Sequence, residues 1–189
     1  MHNTGVEIMR LASLGLGIPE NTFDYMFASK PCSTFRIMHY PPWDGSPPDN
    51  AKIEDGKVLI TPDHTDTNFL TLLARFGYKG LEVLTQDNEW AEIETRPGSL
   101  VMNIGDTLSR MMGGRFKATR HRVIDIGVDR YSVPFFMSPN FEVDVGIDLM
   151  SKALGEKKEY TPEKYGHYAL RRIKYEKKYF EYRDLPDIK

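Results

Sequence analysis

RHRVIDIGVDRYSVPFFM, residues 120–137, holds two runs rich in Val, Ile, Tyr and Phe on either side of a Gly-Val-Asp break, the composition of β-strands around a turn. Side chains alternate between the two faces of a strand, so Arg130, Ser132, Pro134 and Phe136 point the same way. If 119–125 and 129–136 form a hairpin around Gly127, His121 lies across from about Ser132, with Arg130 two residues, roughly 7 Å, further along. A guanidinium fork and a hydroxyl are then offered to one carboxylate beside an imidazole. Opposed residues share a face. With His121 odd and Arg130 and Ser132 even, a pocket common to all three requires an even-numbered hairpin loop.

The same texture extends outward from Thr34 to Val145. FRIMHY, KVLI, FLTLLARF, LEVL, WAEIE and SLVMNI are short β-rich runs separated by Gly, Pro, Asp and Asn, which predicts a mainly β, antiparallel core over about 34–145. PPWDGSPPDN at 41–50 is turn chemistry and reads as a surface connection in which Trp43 only packs. Helices flank this core. A loose apolar stripe over 5–16 stops at Gly17 and Pro19, within a supporting helical region placed at 5–28. Asp106 reads as the N-cap of a short helix stopped by Gly113 and Gly114. A last helix is predicted over 161–184, with Thr161 as N-cap and Pro162 in its first turn, and its charges describe a solvated face.

Composition bounds the rest. In 189 residues, 25 Lys and Arg face 27 Asp and Glu, for a net charge of −2 and a pI near 6.2, with 40% hydrophobic and 28% charged residues. That is an ordinary globular balance. A chain of this size buries about 70% of its unfolded surface, so one domain over 1–189 is expected. There is no general attraction for nucleic acid or anionic membranes. No apolar run approaches the roughly 20 residues of a membrane span, and MHNTGVEIMR lacks the pattern of a signal peptide. Cys32 is the single cysteine and no Asn-x-Ser/Thr site occurs, so a reducing, cytoplasmic setting is expected, with Cys32 as a packing residue.

His64 and Asp66 in PDHTDTNF are two apart, so in extended backbone both leave one face and can hold one metal. The pair is weak on its own. Five histidines and 27 acids in 189 residues give about 0.7 such pairs by chance. His121 on another strand supplies a third ligand, and two imidazoles with one carboxylate form the facial set that leaves adjacent positions open on iron(II). His39 has the opposite strand parity to Tyr40 and reads as structural, and His2 and His167 lack an acidic partner pattern.

HTDTNFLTLL, GLEVL, Trp90, PGSLVMNIGD, GRFKATRHRV and RYSVPFF occur in an order that resembles the isopenicillin N synthase-like iron(II)/2-oxoglutarate oxygenases, over about residues 34–140. The resemblance implies a distorted jelly roll, or double-stranded β-helix, with iron inside its open end. It implies that His64, Asp66 and His121 are the catalytic metal ligands, and that Arg130 and Ser132 bind the distal carboxylate of 2-oxoglutarate. Tyr40 matches a tyrosine that contacts the co-substrate or substrate carboxylate, although Met38 replaces an Asn common in plant members. Phe136 matches a position that in some relatives packs on the organic substrate. The implied activity is a dioxygenase that consumes O2 and 2-oxoglutarate, releases succinate and CO2, and oxidises an unactivated C–H bond of a small organic molecule.

Relatives carry a substantial N-terminal region ahead of the first helix of this sequence. Its absence would leave sheet edges for the C-terminal helix or a second chain to cover, and is compatible with a truncated, partial or naturally minimal form. Two other readings remain at this point: an iron oxidase of the same family that does not use 2-oxoglutarate, and a truncated non-catalytic ligand-binding homologue. A zinc hydrolase fits less well, since the sequence names no general base or oxyanion donor.

Overall fold

A computed structural model describes residues 1–43, 45–153, 155–156 and 159–175. Its described strands pair antiparallel throughout, in two five-stranded sheets. The first runs β1 (Thr34–Phe35), β10 (Arg130–Met137), β5 (Leu70–Ala74) and β8 (Leu100–Ile104), with β2 (Met38–Tyr40) also paired to β10. The second runs β3 (Lys52–Glu54), β4 (Lys57–His64), β9 (His121–Ile124), β6 (Leu81–Leu84) and β7 (Trp90–Glu92). This is the distorted jelly roll.

The expected hairpin does not form. β9 pairs with β4 and β6, whereas β10 pairs with β1, β2 and β5, so the segment around Gly127 carries the chain from one sheet to the other. An Asx turn makes the crossing: Gly127 N donates to Asp125 Oδ1 at 3.0 Å, with Gly127 at φ +68°. Ser132 therefore faces Met38 across its own ladder rather than His121. His121 and Arg130 approach from opposite sheets, and loop parity has no bearing on their meeting.

Register separates the two faces of the first sheet. Phe135 opposes Leu72 and Met137 opposes Leu70, and these four enter the apolar core with Phe69, Met9, Phe23, Met26, Phe27, Leu108 and Met111. Phe23 and Phe27 meet Phe69 edge-on, with centroids 5.7 and 5.2 Å apart, and each such fully buried side chain contributes about 1.5–3 kcal/mol. The core lies between the sheet's outer face and the helices α1 (His2–Gly15), α2 (Asp24–Phe27) and α3 (Asp106–Met111). The opposite, inner face carries Thr71, Asn103, Ser132, Pro134 and Phe136 and looks toward the second sheet.

Several boundaries differ from the sequence reading. The helix predicted from residue 5 starts at His2, and the region 5–28 is two helices broken at Gly17 (φ +70°) and Pro19. Gly105 is the N-cap of α3 and Asp106 its first residue, because the extended backbone at Gly105 (ψ 168°) already ends there. The run FRIMHY is split into β1 and β2. After the unanticipated α4 (Leu149–Ala153), α5 (Tyr165–Tyr175) begins four residues later than Thr161. Residues 176–184 of the predicted last helix lie outside the described residues. Cys32 and Trp43 are both exposed rather than packed. Among the described residues, no helix is long and apolar enough to cross a membrane.

Candidate active site

His64 ends β4 and opposes His121, the first residue of β9. Simple alternation would not bring them onto one face. Thr61 opposes Val123, and from there β4 advances three residues while β9 retreats two. The extra residue is a β-bulge at Pro62–Asp63, where Pro62 has no N–H to give to a ladder. It returns His64 to the face of His121, with ring centroids 4.3 Å apart. Asp66 lies two residues beyond the strand, in the connection to β5, so its convergence depends on the loop rather than on strand pleat.

That loop is clamped to the start of α3. Gly105 N donates to Phe69 O (3.0 Å), Asp106 N to Asp66 O (2.7 Å), and Thr107 N and Oγ1 to Asn68 O and Thr67 O (3.2 and 2.7 Å). A Cβ on Gly105 would come within 2.0 Å of Asn68 O, so a side chain there would force the two segments apart. Asp66 is buried, and its Oδ2 accepts from Thr71 Oγ1 (2.6 Å) and Asn103 Nδ2 (2.8 Å). Its Oδ1 faces His64 Nε2 at 3.6 Å and His121 Nε2 at 3.7 Å. Each imidazole is oriented from behind, His64 Nδ1 pairing with Pro62 O (2.9 Å) and His121 Nδ1 with Thr119 O (3.0 Å). With the Nδ1 proton committed to a carbonyl, the Nε2 lone pair is the one presented.

All three ligand atoms lie within 4.8 Å of one another. Two atoms bonded to one ion at roughly 2.0–2.2 Å can be at most about 4.4 Å apart, and both Asp66–His separations fall inside that limit. Two neutral imidazoles and one carboxylate suit a divalent first-row metal with positions left for exogenous ligands. The residues present fit iron(II).

Across the interior, Arg130 and Ser132 open β10 and are both buried. Tyr40 opposes Arg130 in the β2–β10 register, with its ring 4.2 Å beneath the guanidinium carbon. Ser132 Oγ donates to Tyr40 Oη (3.3 Å), and Tyr40 Oη donates to Met38 Sδ (3.4 Å). Arg130 Nη2 reaches the second sheet, donating to Ile124 O at 3.4 Å. Burial holds its guanidinium below the ordinary arginine value, with Tyr40 and Asp125 opposing that shift. The three predicted co-substrate residues thus form one cluster. Phe136 opposes Thr71, the residue that holds Asp66, so it lies on the site face of the sheet. His39 faces outward, paired with Asp129 (2.9 Å) and stacked on Tyr131 (4.5 Å).

A family model described as the 2OG-Fe(II) oxygenase superfamily matches residues 31–139, a span that contains every residue of this constellation. The chain belongs to that superfamily. Gibberellin 2-beta-dioxygenase 4 of Arabidopsis thaliana is 31% identical over 172 residues, covering 87% of this chain and 53% of that protein. A 2-oxoglutarate-dependent dioxygenase of Didymella fabae is 34% identical over 155 residues, covering 79% and 45%. Among solved structures, a full-length Neurospora crassa protein in complex with alpha-KG superposes with a TM-score of 0.76 at 25% identity, covering 90% of this chain and 53% of that one. A 2OG-Fe(II) oxygenase family protein from Caulobacter crescentus gives 0.74 at 28% identity, with 91% and 54% covered. The chain spans about half the length of the relatives it matches.

For this oxygenase-superfamily chain, sequence reasoning missed the residues that hold Asp66 in place. Thr71 and Asn103 are opposed across β5 and β8, each a polar residue inside an apolar run, LTLLA and LVMNI. That interruption is the signal that could have found them. Arg75 was also missed; it is 5% exposed and sits one residue past β5.

Proposed function

We propose that this chain forms the catalytic portion of an iron(II)- and 2-oxoglutarate-dependent dioxygenase that oxidises an unactivated C–H bond of a small organic substrate, by hydroxylation, desaturation or ring closure, with release of succinate and CO2. The carrying observation is the joint placement of the His64–Asp66–His121 cluster on one side of the interior and the buried Arg130–Ser132–Tyr40 cluster on the other. Ile124, whose carbonyl receives Arg130, is three residues or about 10 Å along β9 from His121. A five-carbon keto diacid with a metal bond of roughly 2.0–2.2 Å at one end and a hydrogen bond of about 2.9 Å at the other spans such an interval.

In this reading His64, Asp66 and His121 hold the metal, and Arg130 and Ser132 take the distal carboxylate of 2-oxoglutarate, with Tyr40 completing that contact. The iron, when bound, supplies the oxidising power drawn from dioxygen and the keto acid. The chain's own work is positional. Thr71 and Asn103 fix one carboxylate oxygen of Asp66 and so aim the other, and the Pro62 and Thr119 carbonyls fix the imidazole tautomers. Arg130 orients the co-substrate and transfers no proton. Phe136 packs on the organic substrate from the inner face of β10 and helps keep water from the reacting bond. The single cysteine and the absence of glycosylation sites favour work in the reducing cytoplasm.

The test is succinate release from 2-oxoglutarate, measured with and without iron(II) and oxygen. Release that needs both, and that His121→Ala abolishes, is the expected outcome. Undiminished release from His121→Ala would refute the ligand assignment.

A further inference from the structure

Arg75 lies one residue beyond the last paired position of β5, where Ala74 opposes Val133. Continuing that ladder by one step places it beside Ser132, and parity with Thr71 and Leu73 turns it to the inner face. Its Nη1 crosses to the second sheet and donates to Ile93 O at 3.1 Å. Its Nη2 is buried and has no hydrogen-bond partner among the described residues. Arg130 makes the same crossing to Ile124 O. The two receiving carbonyls flank the start of β6: Ile124 N donates to Gly80 O, and Ile93 N donates to Leu81 O, both at 2.9 Å. The backbones that carry them are thus about two strand spacings, roughly 9–10 Å, apart, with β6 between.

Gly80 lies in the interval between them at φ +96°, and an added Cβ would stand 2.8 Å from Ile124 O, 3.1 Å from Ile126 Cγ2 and 3.5 Å from Arg130 Nη2. Two guanidiniums from one sheet therefore cross to the second beside Gly80, which leaves room for them by lacking a side chain of its own, with Ile126 packed next to it. No carboxylate hydrogen-bonds to either of them among the described residues. Glu92, an acid whose charge acts on Arg75, instead pairs with Lys79 at 3.5 Å. Burial and the neighbouring Arg130 both hold the Arg75 guanidinium below its ordinary value, against Glu92. An enclosed cation with an unused donor carries a large desolvation cost until an anion arrives.

We propose that Arg75 is a second guanidinium of the carboxylate subsite, so that the distal carboxylate of the bound keto diacid is held by Arg75 and Arg130 together. This rests on the function proposed above, and it makes the subsite dicationic. One charged hydrogen bond to a carboxylate contributes about 10–100-fold in affinity, so two should separate dicarboxylates from monocarboxylates by more than 100-fold.

The experiment is calorimetric titration of the Mn(II)-loaded protein with 2-oxoglutarate and with 2-oxovalerate, which has the same keto acid head and no distal carboxylate. The unsubstituted chain should prefer 2-oxoglutarate by more than 100-fold; a preference below tenfold would overturn the proposal without any variant. Arg75→Gln should weaken 2-oxoglutarate at least tenfold and leave 2-oxovalerate within twofold, while Arg75→Lys, which keeps the charge, falls between. Unchanged 2-oxoglutarate affinity in Arg75→Gln would overturn it, as would equal losses for both keto acids, which would mark a packing role. Unchanged 2-oxoglutarate affinity in Arg130→Gln alongside a loss in Arg75→Gln would keep Arg75 and overturn the anchor assigned to Arg130.

Discussion

The two ends of the interior are built on opposite principles. At the His64–Asp66–His121 end, each side chain's remaining polar atom is already engaged, Asp66 Oδ2 by Thr71 and Asn103 and the Nδ1 atoms by Pro62 and Thr119. What is presented is a tight group of acceptors. At the Arg130 end, two buried guanidiniums have, among the described residues, one hydrogen bond each to a backbone carbonyl and one ring face between them. What is presented is positive charge with little to neutralise it. The first arrangement is complete except for a cation, the second except for an anion. An elongated dianion that chelates a metal at one end and meets guanidinium at the other answers both.

Breaking the acceptor end should have the largest effect. His121→Ala or His64→Ala removes one of the proposed ligands outright and should lower Mn(II) or Fe(II) affinity by more than the roughly 10–100-fold typical of changes behind metal ligands, as read by equilibrium dialysis. Next is Arg130→Gln, which should weaken 2-oxoglutarate by about 10–100-fold while metal affinity in the absence of keto acid stays put. A parallel loss of metal would dissolve the division between the two ends. Asn103→Ala and Thr71→Val should cost about tenfold in metal affinity, because Asp66 stays but loses its orientation.

The smallest effect lies outside the interior, where Arg122 donates to Glu82 at 2.7 Å beneath Trp90. Burial raises the Glu82 carboxyl, but the hydrogen bonds from Lys57 and Arg122 overcome it and leave it below the usual range. Its contribution to stability is then present above the unfolded pKa of about 4.3 and lost as pH falls through the lower folded value. Urea midpoints should accordingly slip only below about pH 4, and Glu82→Gln should flatten that slope.

How much of this was legible in the sequence differs by end. His64, His121, Arg130 and Ser132 stood out because strand parity and the ordered motifs single them out, and the structure brings the histidines together with Asp66, and Arg130 together with Ser132 and Tyr40. Their means of meeting was not legible. A Gly-centred break between two β runs fits a hairpin and a sheet-to-sheet crossing equally well, and only long-range pairing decides between them. The bulge at Pro62–Asp63 inserts a residue that alternation cannot anticipate, and Asp66 is placed by a loop held on Gly105. Arg75 escaped notice because a charged residue at the end of an apolar run reads as a solvated strand end, whereas here the neighbouring sheet buries it.

The most direct measurement is anaerobic: iron(II) is added to the protein, then 2-oxoglutarate, and the visible spectrum is followed. A charge-transfer band that grows with 2-oxoglutarate, saturates at one equivalent per iron and is absent with 2-oxovalerate at the same concentration is the predicted result. A spectrum that stays flat while the protein remains folded and iron-bound would contradict the account.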